Sequence, residues 1–358
     1  MTRRLRAGII GGGFMGEVHA RSIRIAGAEI AGIASSNPDR ARDAAGRIGV
    51  DRAATSEELI GDPHIDVIHV CTPNASHVPL ARAAIAAGKH VVCEKPIGVS
   101  LDEATQLTAE VEASDRLLTV PFAYRFHAMT REAKRRIAAH SFGELTGVTS
   151  IYHQDWLLEP GDDNWRVDAA AGGASRAFAD IGSHLADLTE FLAGERIARL
   201  TARTKTVHGE RNGRAVTTED LAVLLVQFES GALGTLSISQ IAAGRKNSLS
   251  VEIGGGHETV RFEQENPETL WIGHRGGSAL LQRDPKLIGG DVARLSNVPS
   301  GHPLGYLDAF AAFIGDSYEA MSTGVIPDGL PTVRDGLRAV QLTERVLESA
   351  ASQSWVEA

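Results

Sequence analysis

A lysine stands between an acidic residue and a proline in Cys93-Glu94-Lys95-Pro96, directly after the apolar run His90-Val91-Val92. Such a run forms a strand buried in a parallel sheet. Proline stops the ladder after Lys95, so the lysine is expected at the strand's carboxyl edge, where open α/β sheets bind ligands. A lysine held there, partly removed from water, can take part in proton transfer; at an ordinary strand end it only extends its ammonium into solvent. A second set is Asp180-Ile181-Gly182-Ser183-His184. On a helix, Asp180, His184 and Asp187 share one face, and a histidine oriented by carboxylates is a ready acid or base. An isolated Asp-x-x-x-His also reads as a helix cap beside a satisfied core histidine. A third set, Gln154-Asp155-Trp156 and Asn164-Trp165-Arg166, flanks Pro160-Gly161. Exposed tryptophans beside Gln, Asn and Arg suit a polar, ring-shaped ligand, or they anchor a loop.

These groups need elements to position them. Residues 5–10 read as a strand, and residues 17–25 read as a helix. Between them, Gly11-Gly12-Gly13-Phe14-Met15-Gly16 has the G-x-G-x-x-G spacing. The first glycine permits a tight turn, the second lets backbone approach a pyrophosphate, and the third packs helix on strand. Phosphates would sit over the free N–H groups of the helix. Residues 29–34 form the second strand. About 20 residues past the glycines an acidic residue would receive a free ribose 2′-hydroxyl, but this chain has Ser35-Ser36-Asn37-Pro38, with Asp39 and Arg40 following. Serines and Arg40 can receive a 2′-phosphate, and the same residues also serve as a helix cap with Pro38 at the first position.

Residues 66–71 make a further buried strand ending in Cys71-Thr72-Pro73-Asn74, with His77 shortly after. Asn74 and His77 either border the reactive end of a dinucleotide or cap the helix over 78–87. Gly88 ends that helix, the strand leading to Lys95 follows, and residues 100–114 and 117–120 add a helix and a strand. The alternation is that of a doubly wound sheet.

The character changes past Pro121. Phe122-Ala123-Tyr124-Arg125-Phe126 leads into a helix, and from residue 144 come strand-like runs over 145–152, 200–207, 220–229, 232–240, 248–253 and 259–263. These imply a mostly antiparallel sheet. The expected division is residues 1–122 and 123–358.

A chain of 358 residues is too long for one ordinary core. Its 43% hydrophobic and 23% charged residues are those of a globular protein, and its net charge of -9 argues against a nucleic-acid surface. The basic cluster 131–136 contains Glu132 and reads as a solvated helix face. Cys71 and Cys93 end apolar runs and read as small buried thiols. No run reaches the ~18 apolar residues of a membrane span. Thr2-Arg3-Arg4 is followed by a strand and glycine turn rather than the apolar core of a signal peptide, so the expected setting is the cytoplasm.

The glycine turn, Thr72-Pro73-Asn74, Glu94-Lys95-Pro96 and Asp180-Ile181-Gly182-Ser183-His184 occur in that order. In this the chain resembles the glucose–fructose oxidoreductase / inositol 2-dehydrogenase / rhizopine-catabolism (Gfo/Idh/MocA) oxidoreductases, over essentially its whole length. The resemblance implies an α/β protein, with an N-terminal Rossmann domain and a C-terminal α/β domain whose open sheet often serves as an oligomer interface. It implies Lys95 as catalytic lysine, Asp180 as substrate-binding aspartate and His184 as catalytic histidine. The expected reaction is hydride transfer between a nicotinamide and a secondary alcohol of a sugar, anhydrosugar or cyclitol. His184 would take the hydroxyl proton while Lys95 bonds the same oxygen.

The expected cofactor contacts are Gly11, Gly13, Phe14, Met15, Gly16, Ser35, Ser36, Arg40, Cys71, Thr72, Pro73, Asn74, His77, Glu94, Lys95, Pro96 and Arg166. The expected substrate contacts are Lys95, Tyr124, Gln154, Trp156, Trp165, Asp180 and His184, and no metal is called for. NAD-preferring relatives usually carry Asp at the position of Ser35, and many NADP-preferring ones carry Ser-Arg at Ser35-Ser36. This chain has neither signature complete, so the cofactor is NAD or NADP, with dual or NADP use favoured by the missing carboxylate. A homodimer or homotetramer through the C-terminal sheet is expected, with Val223, Leu225, Leu233 and Leu236 at the contact. The alternatives are a redox-neutral NAD-dependent glycosidase, a non-sugar diol dehydrogenase and a nucleotide-sensing regulator without turnover.

Overall fold

The computed structural model describes residues 4–286 and 288–358; Thr2 and Arg3 of the basic N-terminus lie outside them. Short apolar runs become strands, the central ones buried on both faces. They are β1 (Arg6–Ile10), β2 (Glu29–Ala34), β3 (Ala53–Ala54), β4 (Val67–Val70), β5 (His90–Cys93) and β6 (Leu118–Thr119). They form a six-stranded parallel sheet in the order β3-β2-β1-β4-β5-β6. The order reverses between β1 and β4, which makes the carboxyl ends of those strands the topological switch point.

The helices of this unit are α1 (Phe14–Ile25), α2 (Pro38–Ile48), α3 (Ser56–Gly61), α4 (His77–Ala86) and α5 (Leu101–Glu112). Three begin on side-chain caps. Asn37 accepts from the Arg40 amide, Thr55 and Glu58 form a capping box, and Ser100 accepts from the Glu103 amide. Each such cap stabilises its helix by about 1 kcal/mol.

The chain forms two compact units, and the first is discontinuous: residues up to Ala123 pack with Phe310–Val340. The Val120 amide donates to Pro331 O at 3.1 Å, Thr119 bridges Thr332, and Val333, Ala339 and Val340 join the core of Val70, Val91, Leu107 and Leu118. The division expected from sequence assigns all residues after 122 to the second domain, whereas 310–340 belong to the first. An amphipathic pattern announces a helix but does not say which sheet receives it.

The second unit, Tyr124–Ala309 with Gln341–Ala358, is built on β7 (Leu145–His153), β8 (Ile197–Lys205), the small hairpin β9 (Glu210–Arg211) and β10 (Arg214–Ala215), β11 (Leu221–Phe228), β12 (Leu233–Ser239), β13 (Ser248–Gly255), β14 (Thr259–Glu263), β15 (Thr269–His274), β16 (Gly277–Gln282) and β17 (Val356–Glu357). Nine of these strands form one sheet, ordered β16-β15-β14-β13-β7-β12-β11-β8-β17. Every neighbouring pair is antiparallel except β7 with β12. Helices α6 (Ala128–Ile137), α7 (Ala169–Gly172) and α8 (Ser183–Ala193) follow in chain order, and α6 and α8 pack on the sheet.

Period-2 alternation sorts the two faces. On β11, Ala222, Leu224, Val226 and Phe228 are buried, while Val223 and Leu225 stay 47% and 51% exposed; Leu233 on β12 is 60% exposed. Leu236, expected with them, is fully buried on the opposite face. The basic cluster also differs from a solvated face. Arg131 and Glu132 are buried, Arg131 lies over the Phe126 and Phe191 rings, and Glu132 accepts from Arg135 and Arg136. Glu132 pairs inside its own helix, and Asp291 and Glu258 supply further anions to Arg131 and Arg136.

Candidate active site

In the first unit the glycine turn follows β1. Gly11 has φ +118°, and a Cβ there would stand 2.4 Å from Cys71 O, so the ends of β1 and β4 abut at this point. A Cβ on Gly16 would meet Gly11 O at 2.1 Å, which is the close helix–strand packing that only glycine allows. Gly13 differs: no atom lies within 4 Å of a Cβ built there, and α1 begins on it with no side-chain cap. The space over the first amides of α1 is therefore open, and these donors suit a pyrophosphate. Phe14 is exposed beside it and Met15 is half-buried. Arg47 of α2 braces the turn by donating to Gly12 O at 2.6 Å and Glu17 at 3.0 Å.

At the end of β2, Ser35 is half-buried, Ser36 and Arg40 are exposed, and Arg40 Nη1 donates to Ser36 Oγ at 3.2 Å. Arg40 thus reaches back to Ser36. After β4, Cys71 and Thr72 are half-buried, Pro73 is exposed and Asn74 is buried. The thiol of Cys71 is pushed well up by burial, then by Glu94 and Cys93, and burial pushes Cys93 up as well. Neither thiol is poised as a thiolate.

Lys95 lies two residues past the end of β5 and is half-buried, whereas Glu94 and Pro96 are buried. His77 is fully buried, with Nδ1 2.7 Å from Pro96 O and Nε2 2.8 Å from Thr72 O. Glu94, Pro96 and His77 were expected among the cofactor contacts. Burial and internal hydrogen bonds fix all three in place beside Lys95.

In the second unit, α8 opens with a π turn, Phe178–Gly182. That widened turn breaks the regular α spacing between Asp180 and His184. The carboxylates expected to flank the histidine are both held by arginines. Asp180 Oδ1 accepts from Arg166 Nε at 3.1 Å and Oδ2 from Gln240 Nε2 at 2.8 Å. Asp187 is buried in a bidentate pair with Arg125. Arg166, expected beside cofactor or substrate, is the counter-ion of Asp180, and its guanidinium lies 4.4 Å from the Trp165 ring centre. Asn164 caps the turn Trp165–Val167 that presents both.

Tyr124 packs edge-on against His184 with ring centres 5.2 Å apart. Its hydroxyl begins a chain through Tyr152 (2.7 Å), Asn247 (2.7 Å), Gln154 (2.8 Å) and Trp156 (2.8 Å). Tyr152 donates to Asn247 Oδ1, so Tyr124 donates to Tyr152. Burial raises both phenols, which stay protonated donors. Trp156 also packs on Leu157, Val167 and Val216, so it anchors the loop as well as carrying an indole N–H.

Tyr152, Gln240 and Asn247 were absent from the sequence reading. Gln240 and Tyr152 carry one usable signal. Each is a polar-tipped residue in step with buried neighbours, Ile238 for Gln240 and Val148 and Ser150 for Tyr152. Asn247 lies in a loop and carries none.

An open glycine turn at the switch point of a parallel sheet, joined in one chain to a polar, aromatic-lined second unit, defines a two-domain dinucleotide-dependent enzyme class. Residues 5–122 match the model of an oxidoreductase family with an NAD-binding Rossmann fold, and residues 130–261 match the GFO/IDH/MocA C-terminal domain. The chain is 28% identical to levoglucosan dehydrogenase of Pseudarthrobacter phenanthrenivorans over 99% of this chain and 98% of that protein. It is 31% identical to myo-inositol 2-dehydrogenase of Thermotoga maritima over 66% of this chain and 69% of that one. A structure of levoglucosan dehydrogenase in complex with NADH and levoglucosan superposes with a TM-score of 0.94 at 28% identity, covering 99% of each chain. The chain belongs to the Gfo/Idh/MocA oxidoreductase family.

Proposed function

We propose that this protein is an NAD(P)-dependent dehydrogenase or reductase acting on a secondary alcohol of a sugar, anhydrosugar or cyclitol. The unit built on the parallel sheet would bind the cofactor, and the unit built on the nine-stranded sheet would bind the substrate. Gly11, Gly13, Gly16 and the first amides of α1 would hold the pyrophosphate, and Ser35, Ser36 and Arg40 the adenosine ribose. A bound nicotinamide supplies the hydride acceptor or donor.

The protein's own groups do the rest. His184 takes the hydroxyl proton, and Lys95 donates a hydrogen bond to the same oxygen and steadies its growing negative charge. Asp180, held by Arg166 and Gln240, accepts from a neighbouring hydroxyl. Tyr124, Gln154, Trp156 and Trp165 supply the polar and aromatic surface that a ring-shaped polyol meets.

The observation that carries this reading is the Asp180 carboxylate held between Arg166 and Gln240, one π turn from His184. It is an acceptor held in a fixed direction on the turn that leads into the helix of His184, which suits a hydroxyl neighbouring the reacting one. The absence of a carboxylate at Ser35 and Ser36 favours use of NADP alongside NAD. The open sheet face around Leu225 and Leu233 favours self-association.

The test is a panel of anhydrosugars, cyclitols and sugars offered with NAD and with NADP, following reduced nicotinamide. Accumulation with at least one polyol is expected. Glycoside cleavage without accumulation would move the reading to a redox-neutral enzyme. Cofactor binding with no conversion of any member would move it to a nucleotide-sensing regulator.

A further inference from the structure

We propose that His19 and His77 are positioning residues for Lys95, holding the Glu94-Lys95-Pro96 turn from its two sides. The proposal rests on the reading that Lys95 meets the substrate.

His19 lies on α1, three residues beyond Gly16, and is fully buried. Its Nε2 stands 3.1 Å from Glu94 Oε1, while Glu94 Oε2 accepts from the backbone amide of Lys95 at 3.3 Å. One carboxylate thus ties the glycine-turn helix to the peptide of the lysine. The tautomers follow from the chain of contacts behind it. A carboxylate only accepts, so His19 donates from Nε2, and a neutral ring then accepts at Nδ1. The partner at Nδ1 is His69 Nδ1 at 2.7 Å, and His69 Nε2 lies 2.7 Å from the Tyr318 hydroxyl. His69 therefore donates to His19 and accepts from Tyr318. Burial holds His69 well below the ordinary histidine value and Tyr318 well above the ordinary tyrosine value, so the one stays neutral and the other stays a donor. Every link has one donor and one acceptor, and a buried network connected in this way specifies a single geometry.

His77 holds the other side. It opens α4 and contacts Thr72 O, at the end of β4, and Pro96 O, next to Lys95. Both partners are carbonyls, so both contacts are hydrogen bonds only while the ring carries two protons. Burial opposes that charge and brings His77 below the ordinary histidine value. The Pro96 and Thr72 carbonyls and Glu94 pull it back up, and Lys95 opposes it. The doubly bonded ring is thus the acid form, and the neutral ring keeps one of the two carbonyls. The two helices that supply these histidines follow β1 and β4, the strands on either side of the switch point. The turn of Lys95 is therefore referenced to the same two loops that would hold the dinucleotide. Placement matters at this scale, because a shift of about 1 Å in a reacting group costs roughly 10²-fold in rate.

The test reads Lys95 without needing a substrate. Trace acetylation of the amines across a pH series, followed by mass spectrometry, gives the reactivity and titration midpoint of Lys95, with the exposed Lys246 as internal reference. In His19→Leu and His77→Leu we expect the Lys95 midpoint to move by about half a pH unit or more, or its reactivity to change about threefold. Lys246 should be unchanged. His19→Gln and His77→Gln, which keep an N–H donor, should return toward the unmutated profile. On an active substrate kcat should fall about tenfold or more in the leucine variants with KM within about threefold. A Lys95 profile within about 1.5-fold of the unmutated protein in folded leucine variants, with only a lowered Tm, would overturn the proposal. Should the leucine variants not fold, ¹⁵N spectra of histidine-labelled unmutated protein decide. His19 protonated on Nε2 and accepting at Nδ1 supports the proposal, and the opposite tautomer overturns it. Failure of the whole polyol panel would count against the dehydrogenase reading and leave these two readouts standing.

Discussion

Arg166 and Asp180 form an ion pair in which Nε meets Oδ1 at 3.1 Å, and Gln240 takes Oδ2 at 2.8 Å. A carboxylate held this way keeps a fixed direction. Arg166→Met should leave it turned and undercompensated, lowering kcat/KM by about 10- to 100-fold, the worth of one hydrogen bond to a charged group. Arg166→Lys should recover only part, because a point charge cannot reproduce the guanidinium laid along Trp165. Steady-state kinetics on the best polyol would show it, and kcat/KM within about twofold of the unmutated enzyme in Arg166→Met would refute it.

Lys95→Ala should lower kcat by about 10²- to 10³-fold, the cost of one charged hydrogen bond to a developing alkoxide, while cofactor affinity changes far less. His184→Ala should cost about 10²- to 10⁴-fold and flatten the acid limb of the pH profile. The double variant should lose much less than the product, because both groups serve one proton-transfer event. Turnover within about threefold of the unmutated enzyme in either folded single variant would refute the assignment.

Ser35→Asp should shift cofactor use toward NAD by about tenfold or more in the ratio of kcat/KM values, since a carboxylate beside the ribose repels a 2′-phosphate. The unmutated protein should use NADP at least comparably with NAD. A preference for NAD beyond about a hundredfold would remove the basis for this expectation.

Leu225→Glu, on the exposed face of β11, should reduce the particle mass seen by light scattering at micromolar concentration without unfolding the chain. A charge buried in an apolar contact is costly, whereas on a free surface it is nearly neutral. A monomeric mass for the unmutated protein would end this line.

His127 makes acid stability measurable. Burial lowers it from 6.5 to about 4, with Asp308 opposing. As pH falls, the unfolded chain takes up this proton first. The contribution to stability is therefore complete above about pH 6.5 and lost between there and about pH 4, amounting to about 3 kcal/mol. His127→Phe, which keeps the stacking on Tyr124, should flatten the loss of Tm over that window. An unchanged slope would show that another group carries it.

The parallel sheet was legible because its signals are local. Strand, glycine turn and helix succeed each other at the N-terminus, and Val67–Val70 and His90–Cys93 stand out as short apolar runs. The edge position of Lys95 followed from Pro96. What lay beyond reach depends on partners far apart in sequence. Asn247 joins Gln154 and Tyr152, nearly a hundred positions earlier. The π turn before α8 altered the face shared by Asp180 and His184, and a four-residue spacing cannot reveal an inserted backbone residue. The inward bonds of His77 to Thr72 and Pro96 likewise join positions that the sequence does not show to be neighbours. The strands β15, β16 and β17 were not anticipated. The exposed run Gly277–Gln282 lacks the inside–outside alternation on which strand recognition depends.

The return of residues 310–340 to the first unit sets an order of events for the nascent chain. While only the first 123 residues have left the ribosome, Val120 lacks the carbonyl of Pro331, Thr119 lacks Thr332, and the core lacks Val333, Ala339 and Val340. The outer edge of β6 lacks its partners until residues 331 and 332, more than two hundred positions later, have been made. The parallel sheet is therefore completed only after all but the last strand of the second unit have been made, and its open edge must be kept from foreign strands through that interval.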